Sequence, residues 1–593
     1  MPERGLRWFA AAVLLLLTAA SPSLPGQPSE MLAAAAADLR RGDAIAAEVR
    51  LRKALAAGVP RANLAAPMAE ALIRQGQLAK AREWLAAGEF APGQEAYGWR
   101  MAGLLERTQR NFPAAAAAYD RALAINPRDA ALWVDIGRLR YASGQQIEAV
   151  EAVERALAID PANVRALQFR GQLVRDQFGL PAALVWFEAG LKHAPDDPDL
   201  LLDYAATLGE LGRAREMLTV TRQVLKISPG NAQALFLQAV LAARAGRIDL
   251  ARALLNRTGN RLRDVPAAML LDGALNLAAG SPALAAEQLD RLARLQPANE
   301  RARLLLARAL FEAGEYDAVV ARFAGAAQRA DAPPYLLAVV ARAHEQIGGR
   351  AAAAPLLDRM MRARVTPLAA IAEDAPAGVL ALRWNDRGGQ AATVAYVRKL
   401  IDSGALAQAI SVAEAARAAN PGSGGAQALA GDAQLAAGNA SAALDRYRAA
   451  ARVRLDDGLL VRLLDAAVRS GRAPEAAGLA EAYLASHPQS RMAARIYAAL
   501  AIGARDWKRA RTLLENLRAR GGERDVRLLS ELALAQLRTG DKEAALATAR
   551  EAHALLRGSL VAGEALAQVM ATGGASASTV AALRARSARQ DGG

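Results

Sequence analysis

No cysteine occurs anywhere in the 593 residues, which excludes disulfides, thiolate metal sites, a cysteine nucleophile and an N-terminal lipid carried on cysteine. The folded chain must be held together by packing alone. Histidine is almost as scarce: His193, His344, His487 and His553 are each more than 60 residues apart. No HExxH, P-loop, GxSxG or paired-zinc spacing is present either, so neither a metal site nor a catalytic centre is expected. His193 and His487 lie just ahead of Pro195 and Pro488, where a helix C-terminus favours an imidazolium. Aromatics make up only 4% of the chain although 53% is hydrophobic. The apolar content is therefore mainly Ala and Leu, which favour helices packed closely in pairs and argue against a β-rich fold.

Long hydrophobic runs are also missing, with one short exception. Trp8 to Ala20 spans 13 apolar-rich residues, fewer than the roughly 20 that a spanning helix needs. Arg4 and Arg7 precede it, and Ser21, Pro22, Pro25 and Pro28 follow. This is the pattern of a secretory signal peptide, residues 1–20, cleaved after Ala20 with Thr18 at the minus-three position and followed by a linker, 21–27. The expectation is a periplasmic or otherwise exported protein with no transmembrane span in the mature chain. The alternative is anchorage in the inner membrane by an uncleaved signal. The formal charge is +15 with a pI near 10.4, which would suit acidic partners. The cations are overwhelmingly Arg in an Ala-rich chain, a bias that GC-rich coding also produces, and this argues against nucleic acid as the partner.

What the chain does have is a period. Pro127, Pro161, Pro195 and Pro229 fall 34 residues apart, and Pro297 lies two such intervals further on. Each ends a helical pattern, as in Ala156-Leu157-Ala158-Ile159-Asp160-Pro161, because proline lacks an N–H and clashes with the preceding turn. Within one unit, Ala130 to Asn163, helical spacing runs to Ala142, Gly144 interrupts it, and a second helix is expected from Ile147 to Ile159. Each unit is thus a helical hairpin. Gly76 with Ala81, Gly246 with Ala251, Gly280 with Ala285, Gly438 with Ala443, Gly471 with Ala476 and Gly540 with Ala545 repeat one Gly-x4-Ala turn, so hairpins run almost from end to end.

A 34-residue hairpin so punctuated resembles the tetratricopeptide repeat (TPR). Trp133, Ile136 and Gly137 occupy its first-helix signature, and Ala149, Val153, Ala156 and Pro161 its second-helix positions. Trp99, Ala102, Gly103, Ala115, Tyr119, Ala122 and Pro127 do so one unit earlier, and Gly171, Ala183, Phe187 and Pro195 one unit later. The family's aromatic residue three places after the first-helix Gly is replaced by Arg140 and Val174, so these units are divergent. The resemblance implies an all-α, right-handed α-solenoid superhelix of about fifteen hairpins. The expected organisation is an N-terminal solenoid over 28–365, an irregular joint over 366–389 marked by Pro367, Pro376, Gly378 and Gly388-Gly389, and a C-terminal solenoid over 390–559. A capping helix and flexible tail, 560–593, complete it.

Repeats consume the chain and leave no room for a catalytic domain, so no enzyme and no cofactor is expected. The resemblance implies that first helices line the concave face. The residues so placed are Arg100, Arg107, Arg138, Tyr141, Arg165, Gln168, Gln172 and Arg175, a basic ladder suited to an acidic peptide segment or an acidic polysaccharide, or else a solvated Arg-rich face. Further along, Phe236, Val240, Leu270 and Leu277 are apolar at equivalent positions. They suit a partner helix or packing within the superhelix. The implied function is a non-catalytic protein-interaction scaffold in the bacterial cell envelope. The alternative is an accessory to polysaccharide synthesis or export, although the scattered tryptophans offer little of the aromatic platform that sugar binding uses.

Overall fold

The computed structural model describes residues 28–297, 299–329, 332–362, 377–385 and 389–589. The expected signal peptide and linker, residues 366–376 and 386–388 of the expected joint, and residues 590–593 of the tail lie outside the described residues. Among the described residues there are 33 α-helices and no strand. In chain order they form sixteen consecutive helix pairs, with Ala377–Asn385 as one additional helix ahead of the pair Gly389–Asp402 and Leu406–Ala419. This is the all-α repeat solenoid that the 34-residue period predicts. Leu560–Thr572, where a capping helix is expected, is followed by a further helix, Ala577–Arg589, tied back by Arg584 Nε donating to Glu564 at 2.9 Å.

The chain divides into two compact units, residues 1–139 and 140–593. In the first, the pairs Pro28–Arg41 with Ala44–Ala56, Arg61–Arg74 with Leu78–Leu85, and Glu95–Thr108 with Phe112–Ile125 lead into the helix that begins at Ala130. Their core is Leu51, Leu64, Met68, Leu72, Met101 and Leu105, each no more than 2% exposed. The second unit continues from Gln146–Ile159 to the end, with separate apolar clusters following the pairs. One gathers Leu306, Phe323, Leu337 and Val340, and another Leu444, Tyr447, Leu460 and Tyr483.

The periodic punctuation has a local cause at each boundary. Two residues after the pair-ending proline stands an Asn, Asp or Ser whose side chain caps the next helix. Asn163, Asp197, Asn231 and Asn299 accept from the amides of Ala166, Leu200, Ala234 and Ala302 at 2.9–3.0 Å. The proline stops one helix, and the cap satisfies an orphan amide of the next. Asp197 and Asp456 are therefore capping residues, the latter through the Leu459 amide. Inside a pair the Gly-x4-Ala turn works in two steps. Gly246, at φ 71°, takes a left-handed conformation that other residues resist, and Ala251, fully buried, then lets the second helix approach. Sixteen residues separate a small first-helix residue from the large second-helix residue it accommodates. Gly103 takes the ring of Tyr119, Gly171 that of Phe187 and Gly431 that of Tyr447, and a β-carbon at any of them would collide with the ring.

Candidate protein-interaction face

The first helices carry the residues singled out from sequence, and the structure shows what each one touches. In the first unit, Arg100 on Glu95–Thr108 donates from Nε to Asp135 at 3.0 Å and from Nη1 to Asp129 at 3.5 Å. Burial disfavours its charge, but Asp135, Asp129 and Glu70 more than offset this and hold its pKa above the ordinary value. Arg107 is half-buried beside Tyr119, whose phenol is raised by burial and then by Asp135 while Arg107 opposes the rise. Arg138 is also half-buried and engaged.

In the second unit the Tyr141 hydroxyl donates to the Asp176 carboxylate and its ring meets Phe169 edge-on at 6.3 Å. Burial, then Asp176, push its pKa up to about 12. Arg165 reaches Asp199 at 3.2 Å, Asp197 at 3.4 Å and the side-chain Oε1 of Gln168 at 3.0 Å. The Gln168 and Gln172 amides both donate to Asp203 Oδ2, at 2.6 and 2.7 Å. Arg175 stands half-buried at the end of the row. Phe236 and Val240 are half-buried. Leu277 lies in an apolar core with Leu270 packed against it, so this pair is part of the solenoid's own packing.

These bonds share one geometry. Arg100 to Asp135, Tyr141 to Asp176 and Gln168 to Asp203 each join residues 35 apart, and Arg165 to Asp199 joins residues 34 apart. Each links one first helix to the next first helix. Arg495 meets Glu531 on the next first helix in the same way, and Arg462 meets Asp432 on the preceding one at 3.1 Å. First helices are therefore joined by cross-pair bonds in which cations and amides are matched by carboxylates on a neighbouring first helix. Reading the cations alone missed Asp135, Asp176, Asp199 and Asp203. The signal was available as an acceptor recurring 34 or 35 residues after Arg100, Tyr141, Arg165 and Gln168.

Four of the tryptophans are covered as well. Arg61 lies over Trp84 at 4.3 Å, Arg121 over Trp99 at 4.5 Å, Arg170 over Trp186 at 5.5 Å and Arg538 over Trp507 at 5.9 Å. The Trp133 indole N–H donates to the Pro127 carbonyl at 2.9 Å. Cation–π contacts of this kind occupy the faces on which a sugar ring would stack. Among the described residues, no three His, Asp or Glu side chains gather as a metal site requires, and no helix is long and apolar enough to cross a membrane.

The tetratricopeptide repeat family model matches residues 100–164, 200–260 and 498–559. Among solved structures, the chain is similar to PilW, a widely conserved type IV pilus biogenesis factor. That likeness has 17% identity and a TM-score of 0.32, and covers 36% of this chain and 99% of that one. A tetratricopeptide repeat protein from Parabacteroides merdae is 17% identical over 48% of this chain and 98% of that one, with a TM-score of 0.31. A structure of Naa15/Naa10 bound to HypK-THB is 15% identical over 95% of this chain and 99% of that chain, with a TM-score of 0.32. No curated protein matches the chain.

Proposed function

We propose, from the premise that this chain is a tetratricopeptide-repeat protein, that it is a non-catalytic scaffold of the bacterial cell envelope, exported by its N-terminal segment, which binds other proteins along its first helices. The observation that carries this reading is the cross-pair ladder. Within residues 140–593, side chains from Tyr141 to Asp203 are fixed by bonds to the neighbouring helix pair, as Arg100 is within residues 1–139. A surface so ordered before binding loses little side-chain entropy when a long partner lies across it. Because the ladder's cations already have carboxylate partners, specificity is set by the pattern of polar groups more than by bulk positive charge. An acidic peptide must compete with Asp199 and Asp197 for Arg165. The polysaccharide alternative is disfavoured by the guanidinium groups that lie over four of the tryptophan rings.

Cross-linked affinity capture from the cell envelope of the source organism, with residues 21–593 as bait, tests the proposal. The control is the Arg165→Glu/Arg175→Glu variant. A discrete set of proteins, depleted in the control, is the expected outcome. Recovery of glycan or of export components alone would replace the scaffold reading with the polysaccharide one, and an empty eluate would remove both.

A further inference from the structure

Within residues 140–593, three turns that follow first helices meet three turns that follow second helices far along the chain. Gln146 Oε1 accepts from the Gly424 amide at 3.0 Å, and the Glu148 carboxylate packs against Gly422. One pair further on, the Asp176 carbonyl accepts from the Leu455 amide at 3.0 Å, and Gln177 Nε2 donates to the Arg452 carbonyl at 2.6 Å. One pair beyond that, Gln489 Nε2 donates to the Leu211 carbonyl at 2.9 Å. The Ser486 turn also reaches the preceding first-helix turn, where a β-carbon on Gly179 would lie 2.7 Å from Ser486 Cβ. The sequence separations of the three side-chain bonds are 278, 275 and 278. Both edges advance together, pair by pair, which is the mark of two surfaces in register rather than of one accidental touch.

The seam differs in kind from the contacts inside the helix pairs. It consists of main-chain groups, side-chain amides and closely approached glycines. The apolar clusters on its two sides stay separate, with Leu184, Ala205, Leu208 and Met217 in one and Leu444, Tyr447, Leu460 and Leu463 in the other. Between them remains a cavity of about 420 Å³, walled by Phe178 on one edge and by Leu455, Leu460, Leu463 and Leu479 on the other. Phe178 is still 54% exposed. Such a boundary can part without breaking a hydrophobic core, as openable elements do. Yet it joins positions 278 residues apart, so while it holds, the intervening chain is a closed loop.

We propose that this seam is a latch. Closed, it turns the intervening helix pairs into a loop that admits a partner only as an extended segment through the mouth. Open, it lets a folded partner reach the first-helix faces from the side. The gating role rests on the protein-binding reading above, whereas the latch itself does not.

The absence of native cysteine makes the test direct. Gly422 has no left-handed backbone to strain, so the full chain carrying Glu148→Cys and Gly422→Cys should fold and close an intramolecular disulfide under mild oxidation. It should do so about tenfold or more faster than a pair displaced by one repeat, Glu148→Cys with Asp456→Cys, because only the first pair shares a high effective concentration. Equal rates, or disulfides solely between molecules, would overturn the latch. Gly422→Trp should increase the hydrodynamic radius with helical content unchanged, and an unchanged radius in a folded variant contradicts the proposal. If Gly422→Trp does not fold, the cysteine pair alone decides. Capture with the disulfide-bonded chain should lose folded partners that the reduced chain retains, and equal capture by both refutes the gating role. If the wild type captures no protein, the scaffold reading falls, and the latch still stands or falls on the disulfide and the radius.

Discussion

A first-helix glycine in this chain is a statement about volume. At Gly171 a β-carbon would lie 2.5 Å from Phe187 Cε1 and 2.7 Å from Cδ1, and Phe187 is fully buried. The same spacing of sixteen residues elsewhere joins Ala307 to Phe323 and Ala467 to Tyr483, all buried, so a slightly wider helix pair accommodates one methyl group beside an aromatic ring. Gly171→Ala should therefore cost about 1–3 kcal/mol as the pair separates. Gly171→Leu has no equivalent among these pairs and should disrupt packing around Val164–Phe178 and Leu180–His193. Urea unfolding followed by circular dichroism checks this, and a Gly171→Leu chain with wild-type resistance would show that the close approach does not set the pair geometry.

The element scale separates what the sequence makes legible from what it hides. Helix ends were readable because proline, glycine and capping residues act on their own immediate neighbours, and Pro161 with Asn163 or Pro229 with Asn231 mark them without tertiary information. The ladder was half readable. Arg100, Arg165, Gln168 and Gln172 were placed on first helices, but their acceptors belong to the next pair and are found only by looking one period ahead. The seam was not readable at all, since a contact spanning 278 residues leaves no local pattern. The ladder carries its own prediction. Asp203 accepts from both Gln168 and Gln172, so Asp203→Ala leaves a buried and a half-buried amide without their acceptor and should cost about 1–3 kcal/mol of coupling between adjacent pairs. Asp203→Asn keeps one acceptor oxygen and should cost less. Hydrogen exchange localises the effect, with faster exchange expected in Val164–Phe178 and Pro198–Glu210. Unchanged exchange in Asp203→Ala would mean that apolar packing alone couples these pairs.

At the scale of the whole molecule, the charge of +15 is a surplus of 74 cations over 59 carboxylates, and its arrangement determines how the chain responds to salt. Two of the ladder's ion pairs are sheltered: the Arg100 side chain is 21% exposed and that of Asp135 14%, while Arg495 and Glu531 are 25% and 17% exposed; Arg165 and Asp199, at 46% and 66%, are not. Partly buried pairs are screened much less than exposed charges, which lose their interaction beyond a Debye length of about 10 Å at 0.1 M ionic strength. Added salt should then weaken the long-range repulsion among surplus arginines more than it weakens the ladder. The net effect is stabilising, opposite in sign to that for a fold held by exposed ion pairs. Thermal unfolding of the chain should move upward by roughly 2–4 °C between about 0.05 M and about 0.5 M sodium chloride, the shift that 1 kcal/mol produces in a large domain. A downward shift would show that exposed pairs such as Arg213 with Glu216 contribute more than the sheltered ladder, and that the surplus charge is too widely spread to oppose folding.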